Sequence, residues 1–130
     1  MKVIVKMLVF LIVIAVAYQF VNAEVPLKGD SKTMSGNAKK GEEAFNDVKF
    51  AGGKAGKKCS ECHAKGKGFE GLDKQQKYKV LDKEFSSIEE AANFCIQTWL
   101  QGIPLVKDST EMKDLVTYVR LVSYNKQPSR

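Results

Sequence analysis

The first apolar feature of the chain is an unbroken run from Met7 to Ala17, preceded by Lys2 and Lys6 and followed by Val21-Asn22-Ala23. A basic lead, an apolar stretch of about ten residues and small residues at a cleavage position make the pattern of a secretory leader. The run is shorter than the roughly 20 apolar residues that span a bilayer. Residues 1–23 are therefore expected to be a signal peptide, leaving 24–130 as one exported domain with no stable membrane span after cleavage. An uncleaved N-terminal anchor is the alternative. Beyond it, Glu24 to Thr33 has no apolar period and reads as an unstructured lead.

Three later segments carry helical period. Ala38, Gly41, Ala44 and Phe45 form a stripe that predicts a helix over about 37–47, with Ser35 or Asn37 as its cap. Gly41 in mid-helix costs roughly 1 kcal/mol relative to alanine, which suggests a close backbone approach there. Ser86 and Ser87, with Glu89 or Glu90 three residues on, make a capping box for a second helix. Its stripe is Ile88, Ala92, Cys95 and Trp99, and Gly102-Ile103-Pro104 ends it. A third helix starts near Asp108 and runs to about Ser123, burying Met112, Leu115, Val116, Val119 and Val122. Gly52, Gly53 and Gly56 make a loop before Cys59; Gly66, Gly68 and Gly71 make another after it. Gln75 to Leu81 reads as a short helix and nothing reads as a strand. The expected fold class is all-α, without internal repeats.

Charge sharpens this picture only locally. The formal net charge is +6, and falls to +4 when Lys2 and Lys6 leave with the leader. Ten lysines lie between Lys49 and Lys83, on either side of Cys59-Ser60-Glu61-Cys62-His63. They read either as a solvated face or as an electropositive surface that steers an acidic partner. Export and the lack of interleaved aromatics argue against nucleic acid.

Chemistry concentrates in that pentapeptide. C-x-x-C-H is the attachment pattern of haem c, with two thioethers to the porphyrin and the histidine on the iron. Two intervening residues let one helical turn offer both sulfurs to one porphyrin edge. A zinc site needs further ligands, but His63 is the only histidine and Cys95 the only other cysteine. A thioredoxin-like pair needs a βαβ setting that is missing here. One covalently attached haem c held by Cys59, Cys62 and His63 is thus expected.

The second axial position has three claimants: a methionine, Cys95, or none. Bis-histidine ligation within the chain is excluded. Met34 precedes the first helix, and Met112 belongs to a core stripe where methionine is ordinarily a packing side chain. Cys95 is a spare thiol without a fourth cysteine to pair with, and iron coordination would protect it from oxidation. A buried structural thiol and an intermolecular disulfide are the other readings of Cys95. A thiolate ligand lowers the haem potential and can leave on reduction, opening a site for NO or CO; methionine raises the potential and suits an ordinary carrier.

The layout resembles class I c-type cytochromes. Gly41 and Phe45 match their N-terminal helix, Cys59-Ser60-Glu61-Cys62-His63 their haem motif, and Asp114-Leu115-Val116-Thr117-Tyr118-Val119 their terminal helix. The resemblance implies a small class I fold around one haem, with the first and last helices crossing at Gly41 beside Tyr118. It also implies that the usual axial methionine loop is absent. The proline that commonly follows the haem motif is missing, and Gly68-Phe69-Glu70-Gly71-Leu72 stands there, so the support of His63 is open. Ala92-Asn93-Phe94-Cys95, Gly102-Ile103-Pro104-Leu105 and Asp108-Ser109-Thr110-Glu111-Met112 are similar to the haem domains of the SoxA thiosulfate-oxidising cytochromes, where an N-x-C segment supplies a cysteine ligand. They also resemble the small paired Nax cytochromes of anammox metabolism. That likeness implies Cys95 as distal ligand, so that His63 and Cys95 hold the iron, and a related small cytochrome as heterodimer partner. The expected function is non-enzymatic: an exported, periplasmic monohaem cytochrome in electron transfer with redox partner proteins, in NO or CO binding, or in both. The alternatives are an ordinary Met-ligated carrier and a haem-thiolate subunit of a thiosulfate-oxidising enzyme.

Overall fold

Residues 35–126 are described by the structure, a computed structural model. The signal peptide expected over 1–23 and the candidate Met34 lie outside the described residues. Helix α1 spans Ala38–Asn46, and Asn37 caps it by accepting from the Lys40 N–H at 3.1 Å. A 3-10 turn at Phe50–Gly52 leads into α2, the single turn Cys59–Cys62. Helix α3 spans Ile88–Cys95 and continues as a π-turn over Ile96–Leu100; α4 spans Thr110–Asn125. The caps follow the sequence closely. Ser87 accepts from the Glu90 N–H at 3.2 Å, while Glu90 accepts from the Ser86 N–H and hydroxyl. Ser109 accepts from the Met112 N–H at 3.2 Å, so α4 begins two residues after the expected start at Asp108.

Helices α1 and α4 cross in close contact. Gly41 is buried, and a Cβ there would run into the Asp114 backbone carbonyl and the Tyr118 Cβ. Only a residue without a side chain lets the two backbones meet at this distance. One turn of α4 also supplies the start of α1: the Asp114 carboxylate accepts from the Asn37 N–H at 2.6 Å, and the Thr117 hydroxyl accepts from the Gly36 N–H at 3.1 Å. Phe45 packs on Tyr118 with ring centroids 5.2 Å apart. The core then fills from both helices and α3, with Phe45, Ile88, Ile96, Leu100, Met112, Leu115, Val116 and Val119 all buried.

Two expectations change. The stretch read as a short helix over Gln75–Leu81 is instead a two-stranded antiparallel hairpin, β1 Tyr78–Val80 and β2 Lys83–Phe85, with Tyr78 opposite Phe85 and Val80 opposite Lys83. The physical cause is alternating burial against the rest of the fold: Tyr78 and Val80 are half-buried and Lys79 between them is exposed, a period of two. The chain reverses at Leu81-Asp82, with Leu81 in the left-handed region at φ +54°. The fold remains all-α apart from this hairpin. The second change is Trp99. The π-turn after Cys95 widens the helix, so Ile96 and Leu100 are the buried residues there, and Trp99 packs edge-on against Phe94 at 5.7 Å.

Gly41→Ala tests the crossing. Helix propensity alone favours alanine by about 1 kcal/mol. The steric conflict at the crossing should reverse that sign and destabilise the protein by roughly 1–3 kcal/mol in denaturant unfolding. Unchanged or higher stability would rule out the close approach.

Candidate haem site

Extended Lys58 delivers the chain into the single helical turn Cys59–Cys62, which puts the two thiols three residues apart on one helical face. Cys59 is half-buried and Cys62 exposed, and both are free thiols. His63 follows as the residue that ends the turn, its N–H bonded to the Cys59 carbonyl at 3.0 Å. Its Nδ1 lies 2.9 Å from the Lys67 carbonyl oxygen. A carbonyl can only accept, so Nδ1 carries the proton and Nε2 keeps a free lone pair. With Nδ1 so engaged, Nε2 is the nitrogen left to ligate a metal. The Phe69 ring stacks on the imidazole with centroids 4.4 Å apart and planes 21° apart.

These two contacts answer the question left by the missing proline. The loop after His63 folds back tightly, with Lys65 at φ +51° and Gly66 at φ +74°, and the Gly66 N–H bonds the His63 carbonyl at 2.9 Å. Gly66 is buried against α4, where a Cβ would strike Val122. Backbone carbonyl and aromatic ring together hold the imidazole. Sequence reasoning missed both, because a carbonyl has no signature in the residue it belongs to. Phe69, an aromatic residue in a glycine-rich loop, was the one available signal.

His63 and Cys59 form part of the wall of a cavity enclosing about 750 Å³, its open mouth included. Phe45, Ile88, Ile96, Leu115 and Val119 make its walls apolar, while Gln75, Tyr78 and Lys79 from the hairpin side bring polar groups. Cys95 lines the same cavity from the end of α3. Burial pushes the Cys95 thiol up to about 11, with a further rise from the negative charge of Cys59 and Cys62. Burial likewise raises Cys59 to about 11, partly offset by a hydrogen bond from its own backbone and reinforced by Cys62. Cys62 is not among the cavity-lining residues. Met112 is fully buried within the core and does not line the cavity either.

The donor set and the cavity fit a haem c. Cys59, Cys62 and His63 follow one another on one turn, and Cys59 and His63 join an apolar wall. The zinc reading has no site: among the described residues no cluster of three or more histidine, cysteine, aspartate or glutamate side chains could hold a metal ion. Nor does a βαβ unit surround the cysteine pair.

The lysines divide into two groups. In the hairpin, Lys77 and Lys79 pair with Glu84 at 3.2 and 3.7 Å, and Lys83 lies 4.7 Å from the centre of the Phe94 ring. From Lys49 to Lys67, six lysines face the single carboxylate Glu61, and none of the six forms an ion pair among the described residues. The uncompensated charge therefore surrounds the cysteine turn and not the hairpin.

Phe69 is buried and contacts both Phe45 and His63. Phe69→Ala should cost about 3–5 kcal/mol of stability in chemical denaturation of the holoprotein. A loss below about 1 kcal/mol would mean that Phe69 is no packed wall.

The protein-family model for the cytochrome c domain of SoxA and TsdA matches residues 40–127, more than half of the chain. No curated protein and no solved structure matches it. The chain belongs to this family: it is a c-type cytochrome domain, which binds haem c covalently and works in electron transfer with redox partner proteins.

Proposed function

We propose that this SoxA/TsdA-type cytochrome domain is an exported monohaem electron-transfer protein whose iron is held by His63 and Cys95. The observation that carries the reading is the shared cavity: the Cys95 thiol and the His63 ring line one apolar chamber, and Met112 is buried outside it. Cys59 and Cys62 would anchor the porphyrin through thioethers, and the Lys67 carbonyl would hold His63 Nδ1–H so that Nε2 faces the metal. Bound there, the haem supplies a one-electron ferric/ferrous couple. The apolar walls would limit water around the couple, and Gln75, Tyr78 and Lys79 are polar residues of the lining that could meet polar groups of the cofactor.

A Cys95 thiolate adds negative charge that favours the ferric state and lowers the potential. Its hold would weaken when the positive charge on the metal drops. The released side chain would then be a neutral thiol in an apolar wall, leaving room for NO or CO. For partners we propose an acidic redox protein, supported by the unpaired lysines from Lys49 to Lys67, and a related small cytochrome as the other half of a heterodimer. Export is supported by the leader pattern of residues 1–23. Among the described residues no helix is long and apolar enough to cross a membrane. The family match favours one second reading, catalysis of thiosulfate oxidation with Cys95 carrying the sulfur chemistry.

Optical and EPR spectra of the ferric holoprotein test the ligand. Cys95→Ala should abolish the low-spin thiolate signature, and Met112→Ala should leave it in place. The opposite pattern would replace Cys95 by Met112 as ligand. Adding CO to the reduced protein should shift the Soret band; an unchanged spectrum would remove gas binding from the proposal. Turnover of thiosulfate by the holoprotein would establish the enzymatic reading instead.

A further inference from the structure

The segment that follows Cys95 is held from outside itself. Within α3, Asn93 is half-buried and uses both ends of its amide on one residue: Oδ1 accepts from the Leu105 N–H at 2.8 Å, and Nδ2 donates to the Leu105 carbonyl at 2.8 Å. Between these partners the helix widens into the π-turn Ile96–Leu100 and ends at Gln101 in the left-handed region, φ +53°. A π-turn is rare and recurs at functional sites. On its far side the Leu100 carbonyl accepts from the N–H groups of Lys54 and Ala55 at 2.9 and 3.1 Å, and the Ile103 N–H donates to the Ala51 carbonyl at 2.8 Å.

Those far-side ties reach the loop that runs into Cys59. Cys95 is thus bracketed: Asn93, two residues before it, clamps the returning chain at Leu105, and Leu100, five residues after it, is pinned to the loop of the haem-attachment turn. The far-side ties are backbone bonds that any sequence could make. The Asn93 clamp depends on one side chain, and only an amide of this length offers a donor and an acceptor together for a peptide group.

We infer that Asn93 is a positioning residue for Cys95: its two-pronged bond to Leu105 sets where the thiol stands in the cavity and restrains its departure when the iron is reduced. The inference rests on the reading of Cys95 as the distal ligand. If Cys95 holds the iron, it would be the ligand that leaves when dithionite supplies one electron to the haem, and its place would be open to CO. Without the clamp, Leu105 loses both partners and the end of α3 is free to shift.

The test uses the full-length holoprotein with Asn93→Ala, Asn93→Asp and Cys95→Ala beside wild type. Three properties are read: hydrogen exchange at the Leu105 amide, the EPR spectrum of the ferric form, and CO association after dithionite reduction. Asn93→Ala should speed Leu105 exchange by about tenfold, in line with the loss of a buried hydrogen bond. It should also broaden the ferric signal into a low-spin and high-spin mixture and quicken CO association by about tenfold. Asn93→Asp keeps the acceptor for the Leu105 N–H but not the donor, and should fall between the two. It carries the comparison by itself if Asn93→Ala does not fold. Faster Leu105 exchange with wild-type EPR and CO kinetics in these variants would make Asn93 merely structural and overturn the inference. An unchanged ferric spectrum in Cys95→Ala would overturn the ligand reading beneath it, whatever Asn93 does.

Discussion

The rest of the molecule depends on the contact between Gly41 and the turn of α4 from Asp114 to Tyr118. Because no Cβ intervenes, the two backbones approach closely enough for Asp114 and Thr117 to cap the start of α1. That turn is therefore both a packing surface and a terminus for another helix. Asp114 and Thr117 are polar residues in a core position, and each is satisfied by a backbone N–H, which is what makes their burial tolerable. Once the helices are crossed, Phe45 on one and Leu115 and Val119 on the other face the same cavity.

The two sides of that cavity are built by different means. The His63 side is local: thiols, imidazole, supporting carbonyl and stacking ring all come from residues 59–69, and the loop closes through tight turns. The Cys95 side is assembled from distant parts of the chain, since Asn93 reaches Leu105 and Leu100 reaches Lys54 and Ala55. Local construction suits an attachment point that must not move. The Cys95 wall depends instead on ties between segments distant in the chain.

The hairpin has a double part. Tyr78 and Val80 close the cavity, and Phe85 packs on Phe94 at 5.3 Å to hold the strands against α3. Within Tyr78–Phe85, Lys79 and Lys83 are matched by Asp82 and Glu84, and Lys77 just before the strand pairs with Glu84. Six lysines without ion pairs among the described residues lie instead from Lys49 to Lys67, around the turn Cys59–Cys62, where Cys62 is exposed.

Read alone, the sequence determined what depends on nearest neighbours along the chain. Asn37, Ser87 and Ser109 cap the helices because a cap needs only a side-chain oxygen two or three residues from its N–H. The pentapeptide names its cofactor because one helical turn suffices to present it. Gly41 announced a close crossing because a mid-helix glycine has few other uses. Tertiary structure decided what depends on partners far away. Tyr78-Lys79-Val80 is a strand only because a cavity is there to bury alternate side chains. Trp99 leaves the stripe of Cys95 because the loop ties stretch one turn of helix, which no periodicity in 88–99 foretells. The carbonyl of Lys67 and the amide of Asn93 act through backbone groups of other residues. Every residue carries such groups, so only the fold can say which of them meet.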